Sequence, residues 1–552
     1  MGKSQSGEYY VDAGHPARSD ANPGTQEKPF ETIQAAVDAA SGGDTVWVKP
    51  GVYRETVTVT KSGLSADRML RIAATEPRRA IIRGSDIVED WQLVGAGLFR
   101  CAWPHKVTPR QEHMFGFKSY PDQVFVDGML MEHVEQRDRL DTNTFWVDRK
   151  NEYIYLKLDA SESPVGKLVE VSRRERWLVT ENVRFVHLQG LRMEHSTGSL
   201  QIAGCWVGGE DCLVEQSEFA WAGAGVGLGF RGPRNTVRKN EIHHNGQMGF
   251  GGGGNELLFE NNFVHHNNIR PIVDWESGVG KISCTMHGVF RYNVFADTPH
   301  GPGLWFDIEN YFNLVEKNTF DNVGYCSIMI EISYGMTVRN NIVMNANRTP
   351  TPYRSYSCTG ILIQLSCKNK IYNNLVYNTD GYGIHLRWHV RERDIHPFEP
   401  ADPEEYKKVR GFAQGDWMGP GQYPLDDNDI RNNLLVDNSH GAIHIDFHKD
   451  YVHRNTSDYN LFWDSVLKHP MDGGHRLLEW QEMTGLDQHS VYSKEMHDGP
   501  LFKGLDRLDF RPAPGSPAIG AGQPLEDVPD DFVGNPRPKN GPVDIGPFQS
   551  GA

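Results

Sequence analysis

Cysteine, positive charge and long apolar runs are what this chain of 552 residues has least of. Its seven cysteines are scattered and odd in number, which excludes a disulfide framework. Cys205 and Cys212 form a lone pair that reads as buried apolar residues. No Cys or His cluster shows metal-site spacing, so neither a metal nor a cofactor is expected. The formal net charge of -16 argues against a general nucleic-acid binder, which needs a basic face. No run of eighteen apolar residues is present, so no membrane span is expected. The opening Met1-Gly2-Lys3-Ser4-Gln5-Ser6 has no apolar core of a leader. Location is therefore open between the cytoplasm and a secreted or periplasmic protein whose leader has been removed.

What the chain does have is glycine, 57 residues of it, together with many asparagines and short alternating stretches. Short strands joined by tight turns follow from that composition. Tyr9-Tyr10-Val11 opens as a strand. Phe30, Ile33, Ala36 and Ala40 then recur at helical spacing, with Thr32 near the N-cap. A short helix placed there caps the open end of a stacked core. Residues 1–84 read as this cap and the first coils. From 85 to 175 longer strands such as Gln123–Gly128 and Tyr153–Leu158 predict an inserted antiparallel β-sandwich.

From Asn182 a repeat takes over. Asn240, Asn262, Asn293, Asn318, Asn341, Asn374, Asn433 and Asn460 each precede an apolar pair or near-pair, mostly at intervals of roughly 22–33 residues. Strand and turn repeated with no helix between them predict a parallel β-helix over 176–470. An irregular C-terminal cover is expected over 471–552. The interval between Asn374 and Asn433 carries an excursion rich in Pro, Asp and Glu, with Trp417 between glycines. It reads as a lid or pocket wall.

Two stretches carry the chemistry. In Gly303-Leu304-Trp305-Phe306-Asp307-Ile308 and Ser327-Ile328-Met329-Ile330-Glu331-Ile332 the side chains alternate with period two, one face apolar. Asp307 and Glu331 hold the same phase. On successive rungs they stand about 4.8 Å apart, close to the separation of roughly 5–5.5 Å between the carboxyls of retaining glycosidases. The inward pairs are expected to be Phe306/Ile308, Ile330/Ile332, Ile363/Leu365, Leu386/Trp388 and Ile445/Phe447. The residues between them, Asp307, Glu331, Gln364, Arg387 and Asp446, then form an outward column. Glu276 is expected on the rung before Asp307, with Trp305 and His385 beside the column. Adjacent carboxyls push their pKa values apart, as a nucleophile and an acid require. Gln364 and Asp446 also fit a plain solvated face, and Arg387 fits the end of a cleft.

At these residues the sequence resembles the glycoside hydrolase family 120 β-xylosidases, through Gly303-Leu304-Trp305-Phe306-Asp307 and Ile330-Glu331-Ile332-Ser333-Tyr334-Gly335. The resemblance implies a right-handed parallel β-helix with an inserted β-sandwich. It implies Asp307 as nucleophile, Glu331 as acid/base, and Glu276, five residues before Lys281, as third carboxylate. Tyr334 stands where the family has His, and the stretch from Arg387 to Asp429 has no counterpart in it, which bears on the sugar more than on the mechanism.

The leading expectation is thus a retaining, exo-acting, metal-independent glycosidase on an oligosaccharide or polysaccharide. Catalysis falls to Asp307, Glu331 and Glu276. Substrate binding falls to Trp305, Lys281, Tyr334, Gln364, His385, Arg387 and Trp417, with Trp305 and Trp417 stacking on sugar faces. A homo-oligomer is left open. Two rivals stand beside it. One is a calcium-dependent lyase or uronate epimerase with Lys281 or Arg387 as base. The other is a non-catalytic carbohydrate-binding β-helix.

Overall fold

A computed structural model of the chain describes residues 6–103, 120–272, 276–349, 358–391, 423–449, 452–463, 477–492 and 500–551. Contacts divide the chain into two compact units. The first comprises 1–231, 239–251 and 267–275. The second comprises 232–238, 252–266 and 276–552. The fold is a right-handed parallel β-helix with an additional antiparallel domain.

The first unit opens with the strand Glu8–Val11 and the helix Ile33–Ala39. Thr32 caps that helix, its hydroxyl accepting from the Ala35 amide at 3.2 Å, and Ile33, Ala36 and Val37 are buried. Parallel ladders follow, for example Thr45–Val48 against Leu70–Ala74 and Leu178–Arg184 against Ala203–Glu210. Two further sheets lie within 85–172. One contains Ser85–Ile87, Val124–Val126 and Val169–Ser172, the other Leu98–Ala102, Thr144–Asp148 and Tyr153–Lys157. Val124, Val126, Val169 and Val171 from one sheet pack with Phe99, Phe145, Ile154 and Leu156 from the other. This is the sandwich that alternating, β-branched strands predict.

Three parallel ladders run through the second unit. Each coil places one short strand in each of three parallel sheets, as Leu314–Glu316, Thr319–Val323 and Cys326–Glu331 do. The inward residues stack in register: Phe259 on Phe290, Val315 on Val338, and Ile371 on Ile430. All of these are fully buried or nearly so. Each such side chain contributes about 2 kcal/mol of burial free energy. The segment from 500 onward covers the outer face of one sheet, where Leu501, Phe502, Phe510, Ile545 and Phe548 pack on Ile342, Leu375, Leu434 and Leu461.

The asparagines explain how the coils stay in register. Asn262, Asn293, Asn318, Asn341, Asn374, Asn433 and Asn460 form one hydrogen-bonded ladder, each amide oxygen accepting from the residue below at 2.9–3.1 Å. The ladder Asn is not itself in the left-handed conformation. The residue before it is: Asn261, Tyr292, Lys317, Asn340, Asn373, Asn432 and Tyr459 all have positive φ. This accounts for the Asn-Asn pairs in the sequence, the first tolerating αL and the second bridging coils. Asn341→Ala orphans the Val315 carbonyl and the Asn318 amide that its side chain satisfies. We expect it to cost about 3 kcal/mol, read as a fall of the melting temperature with the β spectrum retained below it.

Candidate active site

One sheet of the second unit builds the site. Its strands are Gly278–Ile282, Leu304–Asp307, Cys326–Glu331, Thr359–Gln364, Tyr382–Arg387 and Gly441–Ile445, all parallel. The register aligns Asp307 with Glu331, Glu331 with Gln364, and Gln364 with Arg387. Leu386 aligns with Ile445, and the Asp446 amide donates to the Leu386 carbonyl at 2.9 Å. A second row on the same face runs from Lys281 through Trp305, Met329, Leu362 and His385 to His444. Polar column and apolar strip therefore lie side by side.

The inward pairs need correction. The core residues are Leu304/Phe306, Ile328/Ile330, Ile361/Ile363, Ile384/Leu386 and Ile443/Ile445. Ile308, Ile332 and Leu365 have φ of 57°, 47° and 51°. The strands end at Asp307, Glu331 and Gln364, and these next residues swing into a separate cluster with Tyr311, Tyr334 and Cys367. Trp388 is packed against that cluster too, and Phe447 is exposed. A β-branched residue at positive φ is costly. Here the ladder holds it: Ile308 donates to the Glu331 carbonyl and Ile332 to the Gln364 carbonyl, both at 3.1 Å. A second side-chain ladder locks the turn. Asn310 Nδ2 donates to Ser333 Oγ at 3.1 Å, and Ser366 Oγ accepts from the Ser333 amide at 3.1 Å.

Lys281 is the pivot of the carboxylate end. Its Nζ lies 2.6 Å from Glu276 Oε1 and 2.7 Å from Asp307 Oδ2, and 4.3 Å from the centre of the Trp305 ring. Burial disfavours its charge, yet the carboxylates of Asp307 and Glu276 more than offset this and raise its pKa. Glu276 is thus not on the rung before Asp307. It precedes the strand Gly278–Ile282 and meets Asp307 through Lys281, because residue 281 is the strand position that faces outward there.

Glu331 is almost fully buried. Its Oε1 accepts from Gln364 Nε2 at 2.8 Å and from Arg391 Nη1 at 2.7 Å, and its Oε2 accepts from Trp305 Nε1 at 3.2 Å. Burial and then the charge of Asp307 raise its pKa, against Arg391, Gln364 and Lys281. A raised carboxyl contributes stability that is whole below its unfolded pKa and is lost as pH rises through the folded one. Glu331→Gln escapes that loss. Its melting temperature relative to the parent should climb from pH 4.5 towards neutrality, in paired melts across that range.

At the far end Arg387 Nη1 donates to Gln364 Oε1 at 2.6 Å. Asp446 Oδ1 lies 2.7 Å from His444 Nε2 and 3.5 Å from His385 Nε2, and Oδ2 accepts from the Trp388 amide at 2.9 Å. Burial works against its charge, but these donors hold its pKa well below the carboxylate range. Burial lowers the pKa of His385. Among the described residues His385, His444 and Asp446 are one group whose ligand atoms converge as a metal ion would need. No such group was expected, because His385 and His444 meet only through the register. Among the described residues Nδ1 of His385 has no hydrogen-bond partner.

The structure therefore brings Asp307, Glu331, Lys281, Trp305, Gln364, Arg387 and His385 together, with Glu276 attached through Lys281. It does not bring Tyr334 to the column. That ring is buried and stacks on Tyr311, with centroids 5.7 Å apart. Trp417 lies outside the described residues. Arg391 and His444 were missed. His444 and Asp446 repeat the phase of His385 and Arg387 and could have been found by alignment. Arg391 follows the last residue of its strand by four, and no periodicity marks it.

The family model for the right handed beta helix region matches residues 182–395. The uncharacterized protein YwoF of Bacillus subtilis (strain 168) is 37% identical over 83 residues, which is 15% of this chain and 17% of that protein. Among solved structures, the complex of XylC with xylose has a TM-score of 0.65 at 16% identity, covering 98% of each chain. A mannuronic acid specific polysaccharide family 6 lyase from the human gut microbiota has 0.46 at 12% identity, covering 85% of this chain and 88% of that one. At such identities the likeness is one of fold.

Proposed function

We propose that this chain is a retaining glycoside hydrolase acting on the end of an oligosaccharide or polysaccharide, with Asp307 as nucleophile and Glu331 as acid/base. The observation that carries this reading is the in-register pair of buried carboxyls with opposite surroundings. Asp307 is paired with the ammonium of Lys281, which fixes the carboxylate's position. Glu331 is desolvated and faces the charge of Asp307, which favours its proton. Adjacent rungs fit the short separation of a double displacement.

In the first step Asp307 attacks the anomeric carbon while Glu331 protonates the departing oxygen. In the second, Glu331 takes a proton from water, which attacks the glycosyl–Asp307 ester. Lys281 and Glu276 orient the nucleophile. Trp305 offers its ring beside Met329 and Leu362 to the apolar face of a sugar. The likeness to XylC and to the family 120 motifs supports xylose as one candidate sugar. The lyase alternative asks Lys281 or Arg387 to act as a base. Lys281 is held protonated by two carboxylates, and Arg387 is engaged with Gln364.

A panel of aryl glycosides assayed with and without EDTA tests the reading. Hydrolysis indifferent to chelation is expected; an unsaturated product lost on chelation would replace hydrolysis by lyase chemistry. Glu331→Ala should lose about a hundredfold or more on a poor leaving group. Azide should restore its turnover of an activated aryl glycoside with formation of the glycosyl azide.

A further inference from the structure

Glu331 is surrounded by donors. Arg391, Gln364 and Trp305 all point N–H groups at its two oxygens. That set suits a carboxylate, which only accepts, better than an acid that has a proton to give. The Arg391 guanidinium at 2.7 Å works directly against the protonation that the acid role needs. The Arg391 side chain is about a third exposed, at 32%, whereas Glu331 and Gln364 are buried. Arg387 stands one amide away, bonded to the same Gln364 that bonds Glu331. Three cations, Lys281, Arg387 and Arg391, thus gather around the Asp307–Glu331–Gln364 column of a chain whose net charge is -16.

Resting on the hydrolase reading above, we propose that the terminal sugar of the substrate carries a carboxylate. It is a hexuronic acid, whose carboxylate binds Arg391 beside Arg387 and draws the guanidinium off Glu331, so that Glu331 takes up its proton more readily when that sugar is seated. The step moves one proton from solvent to Glu331 and replaces one ion pair by another. Planar, two-pronged recognition of a carboxylate is what guanidinium groups do best. A neutral sugar such as xylose leaves Arg391 on Glu331 and turns over more slowly.

The test uses the full chain with aryl glucosides, aryl glucuronides and aryl glucoside 6-sulfates of both anomers, with xylosides and galacturonides beside them. A uronide should exceed its neutral counterpart in kcat/KM by about a hundredfold or more. Arg391→Ala should erase that preference by lowering kcat/KM on the uronide. The pH profile of kcat/KM gives the readout that mere structural support would not move. The groups facing Glu331 are Asp307, Lys281, Trp305, Gln364 and Arg391, with Glu276 beyond Lys281 and Arg387 beyond Gln364. Removing Arg391 should shift the alkaline limb upward, and Arg391→Lys should restore part of the original position.

Binding to the Asp307→Asn variant gives a second reading, by calorimetry with glucuronate and glucose. Glucuronate should bind more tightly, and lose that advantage when Arg391→Ala is added. Neutral glycosides hydrolysed as fast as uronides, with dependence on Asp307 intact, would overturn the carboxylate while leaving the hydrolase. A preference for the 6-sulfate over the uronide would overturn it in favour of a sulfated sugar. Inertness of every glycoside with a folded protein would remove the hydrolase reading and this inference with it.

Discussion

Asp307→Asn is expected to lower kcat on every hydrolysed glycoside by about ten-thousandfold or more, with the fold intact. The side chain keeps its shape, but the amide is no nucleophile. In the proposed role the parent carboxylate has a fixed setting: Asp307 Oδ2 accepts from Lys281 at 2.7 Å, and its strand ends there in a locked turn. An unchanged melt would have been expected from a solvent-facing Asp. Instead Asp307 is 6% exposed and shares a buried ammonium, so a moderate fall in melting temperature is expected as well. Glu276 continues to pair with Lys281 in the variant and limits that fall. Single-turnover kinetics separate the loss of chemistry from any loss of binding.

Lys281→Met should have the second largest effect, and on stability as well as rate. The residue is 11% exposed at its side chain and is shared by two carboxylates. Removing it leaves Glu276, Asp307 and Glu331 to repel one another with one fewer cation. Breaking a buried pair in this way costs about 3–5 kcal/mol. The acidic limb of kcat/KM should leave its wild-type position, because the cation paired with Asp307 is gone. A wild-type limb in this variant would show that Lys281 does not tune the nucleophile. Lys281→Arg keeps the charge and should keep the limb, with a rate set by how well the larger head fits between the two carboxylates.

The sequence made the coils legible because they rest on local signals. Period-two strands, Asn at each turn and β-branched inward residues all act within a few positions. The pairing of Asp307 with Glu331 was legible for the same reason, since both end equally phased strands. What stayed hidden depends on backbone choices that local preference opposes. Ile308 and Ile332 are β-branched and should extend a strand; they adopt positive φ because two ladders hold them there. Glu276 reaches the column through a lysine rather than along a rung, which no alternation reveals. His385, His444 and Asp446 meet across 61 positions of sequence, a distance set by the excursion between the two strands.

Trapping of the glycosyl–enzyme intermediate tests the central claim most directly. The protein is treated with a 2-deoxy-2-fluoro glycoside of the reactive sugar, bearing a good leaving group, and its intact mass and peptides are measured. A gain of one fluoroglycosyl unit, on the peptide containing Leu304 to Asn310 and lost in Asp307→Asn, is the expected result. A label on Glu331, or turnover that inverts the anomeric centre and leaves the protein unlabelled, would contradict it.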